Sequence, residues 1–156
     1  AYLRSKHGIR NTYNRGDKIN SLRWDERGRP HARQVLDYYK QMIAFRLGDA
    51  GRALRVTDAP SLEYVRFLDP GNGTALGWIV NANAERLDVP AGMVLINAGT
   101  EAQSFQVQLP GGAWRKIGDG DKVKPGGLED SGTVSGNRTV SLTVPPQTAW
   151  LYRNGF

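Results

Sequence analysis

The chain has 156 residues, of which 39% are hydrophobic and 23% charged, too apolar for a disordered segment and enough for one medium domain or a small domain with an attached piece. No apolar run approaches the roughly 20 residues that span a bilayer, and the complete lack of Cys excludes a disulfide framework, a thiolate metal site and a cysteine nucleophile. The net charge of +6 is uneven: residues 1–56 hold thirteen Lys/Arg against five Asp/Glu, and residues 57–156 hold eight against ten.

Residues 1–33 are polar and basic, with turn signals at Asn14–Asp17 and Gly28–Pro30, and are predicted to form a long loop. Its opening, AYLRSKHG, lacks the apolar core of a signal peptide, so extracellular and cytoplasmic locations both stay open. A basic front with Tyr and Trp interleaved would suit an RNA-binding arm. No nucleic-acid module is visible, and neither a nucleic acid nor a membrane is assigned as partner. Asn11, Tyr13, Asp17, Asn20 and Trp24 offer another chemistry. Asn and Asp hydrogen-bond paired hydroxyls, and an aromatic face packs on a sugar ring. The same residues also suit an Asx-rich turn that holds itself together.

Residues 34–47 are predicted helical. Val35, Tyr39, Met42, Ile43 and Arg46 share one face, Leu36 and Tyr38 widen it, and Gly48 is a plausible stop. A helix apolar over more than half its girth needs a partner, either the following β region or something outside this chain. From about residue 62 short strand-like runs follow: 62–69, 74–81, 92–98, 103–109, 113–117, 132–135, 139–144 and 148–153. Pro70-Gly71-Asn72-Gly73 reads as a hairpin turn, and Phe105-Val107-Leu109 and Val140-Leu142-Val144 alternate as half-buried strands do. The fold class is therefore mainly β, an antiparallel β-sandwich preceded by a loop and one helix.

Chemistry-bearing motifs are sparse. His7 and His31 fall in no zinc-binding spacing, and no GxSxG elbow marks a nucleophile. GDGD at 118–121 slightly resembles a calcium turn but lacks the later bidentate Glu, leaving calcium as the alternative to a plain solvated turn. Asn72-Gly-Thr74 and Asn137-Arg-Thr139 match glycosylation sequons, although Asn in a turn explains them equally.

LRSKHGIRNTYNRGDKINSLRW, residues 3–24, carries a family signal. Leu3, Arg4, Ser5, Lys6, Gly8, Asn11, Tyr13, Gly16, Asp17, Ile19, Asn20, Leu22 and Trp24 stand in the register of a motif of pullulanase-type debranching enzymes, glycoside hydrolase family 13. Thr12 replaces the usual Ser, and Arg23 stands where Asp is frequent. VLDYYKQMIAFR (35–46) is similar to that family's following helix, and LRVTDA (54–59) matches more weakly. Beyond residue 70 only the order of β segments agrees.

The resemblance implies that residues 1–50 end a (β/α)8 catalytic barrel, with a substrate-side loop at 1–33 and the barrel's last helix at 34–47. Residues 51–156 would then be a C-terminal β-sandwich. It implies the C-terminal portion of an enzyme that hydrolyses α-1,6 links in pullulan and branched α-glucans with retention, its catalytic acids lying upstream in a barrel portion that is this chain's partner, in the same polypeptide or a separate chain. Asp25, Glu26, Asp119 and Asp121 are not sensible substitutes, so no catalytic residue and no metal ligand is assigned here. Asp17, Asn20, Tyr13 and Asn11 would bind an α-glucan, and Arg4, Lys6 and Trp24 would brace the loop. A self-standing glycan-binding sandwich with a basic arm is the competing reading.

Overall fold

Strict alternation in two short sequences builds one layer of the molecule. In the computed structural model, which describes residues 5–155, β4 (Gln103–Leu109) buries Phe105, Val107 and Leu109 while its polar residues face out. It pairs antiparallel with β7 (Arg138–Val144), placing Phe105 opposite Leu142 and Val107 opposite Val140. On the outer face the hydroxyls of Ser104 and Thr143 lie 2.8 Å apart, Gln106 Nε2 donates to Ser141 Oγ at 3.1 Å, and Thr139 Oγ1 donates to Gln108 Oε1 at 2.6 Å. These cross-strand polar pairs satisfy the wet side of a ribbon whose other side is apolar.

The second layer is a six-stranded antiparallel sheet. It comprises β1 (Val65–Leu68), β2 (Ala75–Val80), β3 (Gly92–Asn97), β5 (Ala113–Gly118), β6 (Thr133–Ser135) and β8 (Thr148–Asn154), in the order β1-β2-β3-β8-β5-β6. Ile79, Met93, Leu95, Trp114 and Tyr152 from this sheet form one buried cluster with Phe105, Val107, Leu109 and Val144 from the other. Each such large side chain contributes about 1.5–3 kcal/mol by leaving water, and burial pushes the Tyr152 phenol up to about 12. Two polar details complete the core. Trp114 Nε1 donates to the Pro110 carbonyl at 3.0 Å, and a Cβ at Gly136 would overlap that same carbonyl, so this close approach requires glycine.

The predicted strand positions and the hairpin between β1 and β2 match the observed elements to within a few residues. At its tip Asn72 Oδ1 accepts from the Thr74 N–H at 2.9 Å and from its hydroxyl at 3.0 Å, while Asn72 Nδ2 donates to Gln103 Oε1. GDGD is likewise a self-bonded turn: Asp119 Oδ1 accepts the N–H groups of Asp121 and Lys122, both at 2.9 Å. Among the described residues no three His, Asp or Glu side chains gather as a metal cage.

Among the described residues two asparagines, Asn97 and Asn81, are buried. Asn97, 1% exposed, ends β3. Its Nδ2 donates to the carbonyls of Glu101 (2.8 Å), Pro145 (3.0 Å) and Val144 (3.1 Å), and its Oδ1 accepts the Gly99 N–H at 3.0 Å. Asn81 follows β2 in a left-handed backbone conformation (φ 55°) that Asn tolerates better than most residues. Its Nδ2 reaches the carbonyls of Arg86 and Val89, and its Oδ1 takes the Arg86 N–H. The loop so closed covers Tyr64, Val80 and Ala53, and Tyr64 donates its hydroxyl to the Ala53 carbonyl at 3.1 Å. On its rim Asp88 accepts from Arg86 and Arg52, each at 2.9 Å, and the hydrogen bond from Arg86 holds the Asp88 carboxyl below its ordinary range.

The predicted helix begins four residues early: α2 runs Pro30–Leu47. Proline suits the first helical turn because its missing N–H would have no partner there, so a residue read as a turn signal starts the helix instead. At the other end Gly48 N–H closes on Ala44 O at 2.9 Å, and Arg55 Nη2 donates to the carbonyls of Leu47 (3.1 Å) and Gly48 (3.0 Å). The chain divides into two compact units inside this helix, after Gln41. Of its apolar side chains Phe45 is buried, whereas Tyr39, Met42, Ile43 and Leu47 are 53%, 37%, 56% and 69% exposed. The apolar face read from the sequence thus stands largely open.

Asn97→Asp keeps the shape of the side chain but sets an anionic oxygen against three carbonyl oxygens. We expect a stability loss on the order of 3 kcal/mol in urea unfolding, against less than about 0.5 kcal/mol for Ser104→Ala on the exposed ribbon face. Equal losses in the two variants would contradict the role given to Asn97.

Candidate functional site

The polar loop predicted over 1–33 contains two short helical turns, α1 (Asp17–Asn20) and a 3-10 segment Trp24–Gly28. Almost nothing in it is apolar, so polar groups set its shape. Among the described residues before α2, Thr12, 8% exposed, is the most buried. Lys6 Nζ donates to Thr12 Oγ1 at 2.7 Å and to Asn20 Oδ1 at 3.0 Å, and Asn20 Nδ2 donates to the Thr12 carbonyl at 2.7 Å. Three residues spread over fifteen positions form one closed clasp. A charged donor makes its two bonds stronger than neutral ones, and partial burial shields them from competing water.

The clasp is extended by local turns. Asn11 Oδ1 accepts the Tyr13 N–H at 3.1 Å, Arg15 N–H closes on the Thr12 carbonyl at 3.0 Å, and Ile9 N–H on that of Lys6 at 3.1 Å. Gly16 sits at φ 67°, a left-handed conformation that turns the chain directly into α1. Asp17 then opens α1 with its carboxylate exposed.

The sequence-predicted residues therefore separate by placement. Asn11, Asn20 and Lys6 engage other parts of the loop, Lys6 with hydroxyl and amide oxygens. Tyr13 projects from it at 94% exposure, Asp17 is exposed beside it, and Trp24 is 60% exposed at the start of the 3-10 segment. Arg4 lies outside the described residues. Thr12, to which the sequence reading assigns no role, supplies two acceptors of the clasp, and its sequence signal is a hydroxyl at a position where the resembling family carries Ser. Glu26, only 15% exposed, is the shared partner of Arg23 at 3.5 Å and Arg29 at 3.4 Å.

Residues 81–155 match the family model described as alpha amylase, C-terminal all-beta domain. Among solved structures, the pullulanase from Bacillus acidopullulyticus superimposes with a TM-score of 0.69 at 23% identity, covering 98% of this chain and 17% of that one. The chain has the fold of the C-terminal portion of a pullulanase. The type I pullulanase of Bacillus subtilis str. 168, solved with maltose, matches with a TM-score of 0.62 at 18% identity over 99% of this chain and 20% of that one. The pullulanase of Anoxybacillus sp. LM18-11, solved with maltotetraose, gives 0.62 at 15% identity over 99% and 20%. No curated protein matches the sequence. The chain thus spans about a fifth of the length of the solved enzymes it resembles in fold.

If the clasp sets the loop, Asn20→Ala should raise amide hydrogen exchange at Arg15 and Asn20 by about tenfold, since two hydrogen bonds are lost. Asp17→Ala should leave the same amides unchanged. Equal effects of the two substitutions would contradict the division between clasp and exposed residues.

Proposed function

We propose that this chain is the C-terminal portion of a pullulanase-type glycoside hydrolase that cleaves α-1,6-glucosidic links in pullulan and branched α-glucans by a retaining mechanism. It supplies a substrate-side loop, the last helix of a (β/α)8 barrel and a structural β-sandwich. The observation that carries this reading is the fold likeness, which runs through 98% of the chain, loop included, while taking up only 17% of the matched pullulanase. The open apolar face of α2 supports it: Tyr39, Met42, Ile43 and Leu47 at four-residue and three-residue steps are what a helix presents to a neighbour it has not yet met. In this reading the barrel portion covers that face.

The carboxylates of this chain support a division of labour with that portion. Glu26 is held by two arginines, and Asp119 is committed to two backbone N–H groups. Retaining hydrolysis needs two carboxyl groups about 5–5.5 Å apart across a bound sugar, one as nucleophile and one as acid/base. Those groups come from the barrel portion. Here Asp17 accepts hydrogen bonds from glucosyl hydroxyls, and the Tyr13 ring lies against a sugar face. Asn11 and Asn20 hold the loop in that shape, with amide N–H groups left over to reach the glucan.

Two measurements test this. The 156-residue chain alone is expected to release no reducing sugar from pullulan; clear turnover would place the catalytic acids within it. In the complete enzyme, Asp17→Ala is expected to lower kcat/KM on branched oligosaccharides about fivefold or more, the equivalent of about 1 kcal/mol for one lost hydrogen bond to substrate. An unchanged value would make Asp17 a scaffold residue.

A further inference from the structure

The N-terminal unit holds a cavity of about 310 Å³ lined by sequence neighbours of the clasp residues. Its walls carry the side chains of His7, Lys18, Arg23 and Arg29, with Ser5 beside them and a single carboxylate, Glu26. We propose that this cavity binds a tetrahedral oxyanion of the phosphate class, either free or as a phosphomonoester on a sugar.

The charge balance of the cavity is the main argument. Two arginines share Glu26 at 3.5 and 3.4 Å, well beyond the about 2.7–2.9 Å of a charge-assisted hydrogen bond, and their side chains remain 52% and 70% exposed. Each guanidinium offers five N–H donors in a rigid fork, so one distant carboxylate leaves most of that capacity unused. Lys18 has no carboxylate within ion-pair distance among the described residues. Three cations of fixed charge thus face one anion around a common space.

Geometry and lining agree with an anion more than with an apolar or cationic ligand. The wall is mostly polar, and it brings together residues from three segments: Ser5 and His7 on either side of Lys6, Lys18 in α1, and Arg23, Glu26 and Arg29 around the 3-10 segment. His7 is itself held in a left-handed conformation (φ 55°), with its N–H donated to Ser5 Oγ at 3.1 Å, which fixes the side of the loop on which its ring emerges. At about 30 Å³ per water the space equals about ten waters, room for a phosphate group and part of an attached ring. The second basic hollow of this unit differs: there Lys40 already pairs with Asp37 at 3.4 Å, and Leu36 takes part of the wall. The proposal needs neither the barrel nor any catalytic acid, so it stands or falls apart from the glucan reading.

The test is an NMR titration of the full 156-residue chain in phosphate-free buffer at low salt, with inorganic phosphate, glucose 6-phosphate and glucose as separate probes. Saturable shifts at His7, Lys18 and the arginine side chains are expected with the two phosphates and not with glucose. Tighter binding of glucose 6-phosphate would identify a phosphomonoester site, and tighter binding of inorganic phosphate a free-anion site. The double substitution K18A/R23Q should weaken binding by about tenfold or more, Glu26→Gln should strengthen it severalfold, and added NaCl should weaken it. K122Q/K124Q, in the β unit, should change nothing. The proposal is overturned if no saturable shift occurs, if K18A/R23Q binds like the parent chain, or if glucose alone reproduces the shifts.

Discussion

One buried carboxamide joins the two sheets. Asn97 closes β3, and its side chain takes hold of the chain just before β4 and at the end of β7, fastening the two-stranded ribbon to the six-stranded sheet from inside the core, while Arg66 Nη2 of β1 donates to the Gln108 carbonyl of β4 at 2.7 Å outside it. No apolar residue could do this, because three backbone carbonyls turn inward there and each would cost about 1–3 kcal/mol if left without a donor. With that point fixed, the alternation of β4 and β7 can face only one way, and Phe105, Val107, Leu109 and Val144 close over Met93, Leu95 and Trp114. The sandwich core depends on a polar residue that contributes almost nothing to its apolar area.

The same device recurs at two other scales. Asn81 uses its amide to close the loop after β2 and so caps the small cluster around Tyr64. In the loop before α2, where apolar side chains are few, the clasp of Lys6, Thr12 and Asn20 closes the chain by hydrogen bonds alone. A loop held by hydrogen bonds rather than by a core can keep most of its side chains exposed, which is what a recognition surface needs. Tyr13 and Asp17 both stand exposed on it.

The helix α2 shows how far a periodic pattern can be read. Its rhythm gave a helix with an apolar face and nothing about which side this chain would cover. Phe45 turns out to be buried, while the face carrying Tyr39, Met42 and Ile43 remains open. The early start at Pro30 has a similar origin: Gly-Arg-Pro reads locally as a turn, and only the following helical turn shows that the proline occupies a first-turn position.

By itself the sequence determined the strands, the inward sides of β4 and β7 and the hairpin at Pro70–Gly73, because alternation and turn chemistry are local properties that survive without any partner. It also marked residues 3–24 as a polar stretch with the residue types of a sugar-facing loop. Only the tertiary structure decided which of those residues face outward and which hold the loop, since Asn20 and Asp17 are chemically similar in sequence and differ by the presence of Lys6 and Thr12 within hydrogen-bond reach. It alone also decided the importance of Asn97 and Asn81, whose partners lie up to 48 residues away or in a closed loop. An amide's hydrogen-bond partners are a matter of folded distance, and no periodicity records them.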